Sequence, residues 1–364
     1  MHVRRIDNPD KLPEFRSVWE DLLAKCPDVE INLFLSFEWI ITWWSHFGTG
    51  NELWMLLVME ESRIVGIAPM MVSRQLYCGL PVRMLGFLTN RHTSRSDFII
   101  PENKREVIQV LVQYFNDNSK YWDVMKLLHL PKESGNMVLL ETELKRKPML
   151  KCFPVETCNT IYSLPLTYPS WETYYKEQPS KIRKNIRHYQ NQLEKADNYK
   201  VVIMNEPALS DKSMEQLFLL GEISWKGKNS CKRLSDVDMS FHKQLSSKFS
   251  SRGCVDNRFM YINDRLAACS HYLIHNNIAY GLLIFYDDVF AQYSAGSNLI
   301  INFIRDRHDS ESSIVQLDFN GNSAIGRTWA NNFHTFELIS ACNSRLYSSL
   351  ISFLKTFKRF ITAK

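Results

Sequence analysis

Tyr293-Ser294-Ala295-Gly296-Ser297-Asn298 joins a strand pair to an apolar helix through a run of small residues. The first N–H groups of a helix have no acceptor within it and lie at the positive end of its dipole, and a glycine there lets a ligand approach the backbone closely. Two readings follow. The stretch is a plain turn in which Ser or Asn caps the next helix, or it is a cradle in which Ser294, Ala295, Gly296, Ser297 and Asn298 hold a pyrophosphate such as that of coenzyme A.

Upstream of this stretch, alternation predicts strands over Arg258–Ile262, Leu266–Ile274 and Ile278–Phe285, with turns at Asn263-Asp264 and His275-Asn276-Asn277. A helical stretch near Met214–Ile223 precedes them. Downstream, a helix over Leu299–Arg307 leads to a strand at Ile314–Phe319. The first half repeats the order with other residues. Ser36 caps a helix whose apolar stripe is Phe37, Ile40, Ile41, Trp44 and Phe47. Strands at Leu53–Met59, Ile64–Ser73 and Val82–Phe87 follow, then a helix over Glu106–Phe115 and a strand over Trp122–Leu128. The fold class is therefore α/β with a mixed sheet (α+β), in two similar lobes. The surface-like Lys145–Pro154 connection puts the boundary near residue 155, giving domains 1–155 and 156–364.

Size and composition agree with two domains. The chain has 364 residues, 45% of them hydrophobic and 23% charged, enough to build full cores. A net charge of +5 permits an anionic ligand without implying DNA. Asp7 and Asp10 interrupt any export signal, no apolar run reaches the ~20 residues of a membrane span, and the eight cysteines form no C-x-x-C pair. A reducing cytoplasm is the expected location. The segment Trp171–Lys195 reads as a basic amphipathic helix: Ile182, Ile186, Tyr189 and Leu193 form its stripe, with Lys181, Arg183, Lys184, Arg187, His188 and Lys195 on the other faces. A solvated face, phosphate or acidic-acceptor binding, and contact with a tRNA backbone are its three readings.

Several stretches resemble the CelD/BcsL family of GNAT acetyltransferases and, more distantly, the FemAB peptidoglycan transferases. They are Ser180–Arg187, Ser224-Trp225-Lys226-Gly227, Ser294-Ala295-Gly296, Asp318-Phe319-Asn320-Gly321 and Arg327-Thr328-Trp329, with Phe34–Trp39 and Trp43-Trp44 upstream. Ala295 stands where that family usually has Pro, and Arg327 where it commonly has Lys; the cation is kept, as a planar fork. The resemblance implies tandem GNAT-like domains in a FemAB-like two-lobed architecture. It also implies acetyl-CoA or another acyl-CoA as co-substrate, direct attack of an acceptor amine on the thioester, and no metal. Asp318, ending a strand, is the candidate base, and Tyr293 the candidate acid for the departing thiolate. Arg327 joins the coenzyme-binding set, while Trp225, Lys226, Asn320, Arg183 and Arg187 line the acceptor side. The acceptor is expected among amino sugars, amino acids and cell-envelope polysaccharide precursors.

The alternatives are an aminoacyl-tRNA-dependent transferase and a catalytically silent accessory of polysaccharide synthesis. After Phe87 the first half has no small-residue loop, so its lobe is expected to lack an acyl-CoA site; Arg91, His92, Arg95 and Asp97 either face the cleft between the lobes and bind acceptor or form an ordinary polar loop. His271 and His275 have no acidic third ligand nearby, and G-x-S-x-G, Walker and G-x-G-x-x-G motifs are absent, which removes metal, hydrolase, kinase and dinucleotide readings.

Overall fold

The computed structural model describes residues 1–26, 32–229, 233–310, 312–321, 324–330 and 332–343, with only the backbone of Asn32, Trp225 and Ala324. It divides into two units, one built on Met1–Thr160 and one on Ile161–Phe333.

In the first unit the chain runs through β1 (His2–Ile6), α1 (Arg16–Ala24), α2 (Asn32–Leu35), α3 (Phe37–Phe47), β2 (Glu52–Glu60), β3 (Arg63–Tyr77) and β4 (Leu80–Phe87). It continues with α4 (Lys104–Asp117), β5 (Val124–Pro131), α5 (Gly135–Lys145) and β6 (Leu150–Cys152). Strands β1 to β4 pair antiparallel in sequence order, whereas β4 and β5 pair parallel, Met84 to Val124 and Leu85 to Met125. A parallel pair needs a crossover, which α4 supplies. The apolar stripe of α4 (Val107, Ile108, Leu111, Phe115) meets Trp54, Leu56 and Leu140 in one core. Ser36 caps α3 by accepting from the Trp39 amide at 3.3 Å, as expected. The buried face of α3 is rotated from the expected stripe, because Trp39 and Trp43 turn inward while Ile41, Trp44 and Phe47 stay half-buried.

The second unit contains the end of β7 (Glu156–Pro165), then α6 (Trp171–Glu177), α7 (Ser180–Leu193), β8 (Tyr199–Ile203), α8 (Ser210–Ile223), α9 (Trp225–Lys228) and α10 (Asp236–Ser250). Next come β9 (Val255–Ile262), β10 (Arg265–His275), β11 (Ile278–Tyr286), α11 (Ala295–Asp309), β12 (Gln316–Asp318) and α12 (Ala324–Trp329). The sheet order is β7-β12-β11-β10-β9-β8, antiparallel except for β11 and β12. In both units three antiparallel strands, a helix and a parallel strand follow one another. Helices α7 and α11 put Ile186, Ile300, Phe303 and Ile304 on one face of the sheet. Helix α8 puts Leu217 and Leu220 against Phe259, Cys269 and Phe285 of β9, β10 and β11 in a separate cluster.

Two expectations change. The basic helix is two helices, since Pro179 lacks the amide that a continuous helix would need and its predecessor Gln178 is extended. Residues after 156 do not all belong to the second unit: β13 (Asn332–Asn343) pairs antiparallel with β5, Phe336 to Pro131 through Cys342 to Val124, so His334–Asn343 completes the first unit's sheet. Its buried run Phe336–Asn343 matches the strand it joins.

Candidate active site

The geometry starts at β11. It pairs with β12 only at Ile278–Gln316, Ala279–Leu317 and Tyr280–Asp318. Beyond Asp318 the chain follows β7 instead, the Phe319 amide donating to the Tyr162 carbonyl at 3.0 Å. From Gly281 to Tyr286, β11 runs on with no strand on that side among the described residues. A register shift opposite His271 and Tyr272 leaves Leu282 without a partner on β10. Such a bulge bends and twists a strand locally. The sheet therefore splits where Asp318 ends its strand, and one wall of the opening is β11.

The small-residue stretch adjoins that wall. Asp288–Tyr293 forms a 3-10 turn, Ser294 takes the left-handed conformation (φ 52°), and α11 begins at Ala295 rather than at Leu299. Ser294 makes no side-chain cap. The Asn298 amide is satisfied by the Ser294 carbonyl at 3.0 Å. The amides of Ala295, Gly296 and Ser297 have no hydrogen bond among the described residues, so three donors stand at the positive end of a 15-residue helix. A Cβ on Gly296 would lie 3.5 Å from the Tyr286 ring, which places the loop against the end of the open strand.

The Asn298 side chain is engaged within the protein. Its Nδ2 donates to the carbonyls of Tyr189 (2.8 Å), Tyr293 (3.1 Å) and Ser294 (3.3 Å), tying α11 to α7. Tyr293 rests half-buried beside Phe290. Asp318 is buried, and its Oδ1 accepts from the Asn320 amide at 2.7 Å, with Asn320 left-handed (φ 52°). That bond closes the turn after β12; it is the capping arrangement, and it leaves the carboxylate at the point where the strands part.

Lys226 reaches the open strand from the other layer. Its Nζ donates to the Ile284 carbonyl at 3.0 Å and lies 5.3 Å from the Phe285 ring centre. Ser224 and Gly227 position it. The Ser224 hydroxyl accepts from the Gly227 amide, and a Cβ on Gly227 would stand 2.2 Å from the Glu222 carbonyl oxygen, so only glycine lets α9 fold back on α8. The Trp225 side chain lies outside the described residues. Arg327 is exposed on α12, whose Trp329 is buried with its ring 6.1 Å from Tyr189. On α7, Arg183 is half-buried and Arg187 exposed; neither forms an ion pair among the described residues, while Ile186 and Leu193 anchor the helix.

In the first unit, Thr93 to Asp97 are buried. Asp97 accepts from Ser134 Oγ (2.6 Å) and Asn136 Nδ2 (3.0 Å), and Arg95 lies 5.8 Å and 5.6 Å from the Phe34 and Phe336 rings. The stretch is an irregular polar loop, as one of the two readings had it, but a buried one, where a charge demands such partners. Sequence reasoning also missed the bulge at Leu282 and the part played by Tyr286. The lone Gly281 in an apolar strand was the available signal.

The profile of the family described as "Acetyltransferase (GNAT) domain" matches residues 180–324, the stretch from α7 to the start of α12. The chain carries a GNAT acetyltransferase domain, which supports acyltransferase activity. Among solved structures, the chain is similar to FemX (TM-score 0.60, 11% identity, 96% of this chain and 100% of that one). It also resembles a conserved protein of unknown function from Bacteroides thetaiotaomicron VPI-5482 (TM-score 0.54, 11% identity, 94% and 99%) and L-PGS from Bacillus licheniformis (TM-score 0.52, 11% identity, 98% and 98%). At these identities the likeness is one of fold. No curated protein matches the chain. Among its described residues no helix is long and apolar enough to cross a membrane, and no group of three or more His, Cys, Asp or Glu side chains is placed to hold a metal ion.

Proposed function

We propose that the chain is an acyl-CoA-dependent N-acyltransferase, with acetyl-CoA as its expected donor, built as two GNAT-like lobes of which only the second binds the thioester. The observation that carries this reading is the set of three unsatisfied amides at Ala295, Gly296 and Ser297 beside the open edge of β11. They supply the donors that a pyrophosphate accepts from, and the open edge gives an extended thiol arm somewhere to lie. The buried Thr93–Asp97 stretch supports a first lobe without a thioester site.

In this reading the acceptor amine attacks the thioester carbonyl carbon, the C–S bond breaks, and coenzyme A leaves as a thiolate. Asp318 takes the proton from the amine, and Tyr293 returns one to the sulfur. Holding both substrates against β11 supplies most of the rate, through proximity. Lys226, Asn320, Arg183 and Arg187 face the acceptor, for which an amino sugar, an amino acid or an envelope polysaccharide precursor in the cytoplasm is our proposal.

Incubation with acetyl-CoA and panels of amino sugars and amino acids tests it by the release of free thiol. Amine-dependent release is expected; no release with acetyl-CoA or longer acyl-CoAs, together with no coenzyme binding, overturns it. A second reading, transfer from aminoacyl-tRNA, is favoured by one observation: Lys181, Arg183, Lys184 and Arg187 of α7 have no acidic partner among the described residues. Retention of tRNA that falls steeply with salt would select it.

A further inference from the structure

Strand β8 is the outermost strand of the second unit's sheet. Among the described residues it pairs only with β9, Tyr199 to Ile262 through Ile203 to Arg258. Backbone bonds just beyond its ends fix which groups face outward. The Asn263 amide donates to the Asn198 carbonyl and the Met204 amide to the Asn257 carbonyl, both at 2.9 Å. These pairs continue the register of β8 and β9, and in an antiparallel ladder every second residue bonds to the partner strand. Lys200 and Val202 therefore bond to β9, while the N–H and C=O groups of Tyr199, Val201 and Ile203 point away from it.

Proteins guard a free edge of this kind with charge, proline, a bulge or a covering segment. β8 has little of that protection. Its register with β9 runs without a shift, it contains no proline, and its one charged side chain, Lys200, is turned to Asp264 of the β9–β10 turn at 3.0 Å. Apolar side chains are exposed in place of a guard: Tyr199 by 47%, Ile203 by 44% and Val202 by 37%. The outer strand of the first unit, β1, carries Arg4 and Arg5 instead.

The order of residues along this edge suits a second copy of itself. Two β8 strands laid antiparallel about Val201 put Val201 opposite Val201, Tyr199 opposite Ile203 and Lys200 opposite Val202. Each outward-facing residue then exchanges both backbone bonds with the other copy, an aromatic ring meets a β-branched side chain twice, and no like charges face each other. Strand β1 of a second copy, centred on Arg4, would instead bring Arg5 against Lys200, a repulsive pair.

We propose that β8 is a self-association edge through which two copies of the chain join as a closed, two-fold dimer. Both copies use the same strand, so the pairing ends at two.

Sedimentation of the full chain over a concentration series, with amide hydrogen exchange at its lowest and highest concentrations, tests the proposal. A monomer–dimer equilibrium in the micromolar range is expected for so short an interface. Where nine-tenths of the chain is dimeric, exchange at the Tyr199, Val201 and Ile203 amides should slow by about tenfold, whereas Lys200 and Val202, already bonded to β9, should change less. Val201→Pro removes an outward N–H and touches no bond to β9. Ile203→Lys sets a charge at the exposed position that faces Tyr199 of the second copy. Each should weaken the dimer by about tenfold or more while the melt stays near native. A wild-type chain that is monomeric at about 100 µM, species that grow beyond the dimer, or equal dimerisation by either folded variant overturns the proposal. If neither variant folds, the wild-type exchange decides: outward amides that exchange equally fast at both concentrations overturn it.

Discussion

Asn298 Nδ2 lies 2.8 Å from the Tyr189 carbonyl oxygen, so one side-chain amide fixes the first turn of α11 to α7. The same group also satisfies the Tyr293 and Ser294 carbonyls. Asn298→Ala should therefore lower stability by about 1–3 kcal/mol and raise KM for acyl-CoA more than it lowers kcat, because the three amides lose their fixed direction. Urea melts and steady-state kinetics check both effects; unchanged KM in a folded variant would show that α11 holds its position without the clamp.

Gly296 separates two effects. A methyl group there meets only the Tyr286 ring, at an ordinary 3.5 Å, so Gly296→Ala should fold normally and retain coenzyme binding. Gly296→Val adds branches in a buried place beside the open strand. Its melting temperature should move little, while coenzyme affinity falls by about tenfold or more, the cost of displacing one or two charge-assisted hydrogen bonds. Isothermal titration with coenzyme A discriminates the two variants.

Asp318→Asn keeps the oxygen that accepts from the Asn320 amide, so the turn survives while proton acceptance is lost. Turnover should fall by about 10²–10⁴-fold, the range of general base catalysis, with a near-native melt. Wild-type activity in this variant would remove Asp318 from the proton path.

Acid should loosen the second unit through His271. Burial lowers its pKa from 6.5 to about 4, and its Nδ1 sits 2.6 Å from Asn257 Oδ1. Between those two values the unfolded chain binds the proton and the folded chain does not, so stability falls as pH drops from about 6.5 towards 4. At pH 5 this one imidazole accounts for about 2 kcal/mol. Burial lowers His129 of the first unit in the same direction, also to about 4. Comparing urea midpoints at pH 7 and pH 5 for wild type and His271→Gln checks this: the variant should lose less on acidification, and an equal loss would assign the sensitivity elsewhere.

The local elements were largely legible. Alternation located the β2, β3 and β4 hairpins and their second-unit counterparts, because each strand has its partner a few residues away. What escaped was non-local. Nothing in the Phe336–Asn343 run specifies β5 as its partner, since pairing across two hundred residues leaves no periodicity to read. At the site, the small-residue loop was visible as a helix start, open to either a Ser or Asn cap or an anion cradle. The Lys226 contact with Ile284 and the burial of Arg95 and Asp97 depend on which layers stack, and that information lies in no single window.

The strand that finishes the first unit is made about two hundred residues after the β5 edge that it covers. Domains fold as units, in order, while synthesis proceeds at about 5–20 residues per second. Here the β5 edge emerges from the ribosome long before residues 334–343 exist to cover it. During that interval an unpaired edge is a template for foreign strands, so a nascent chain stalled before residue 334 should be a preferred client of the chaperones that shield exposed β-edges, and a chain released there should aggregate through β5.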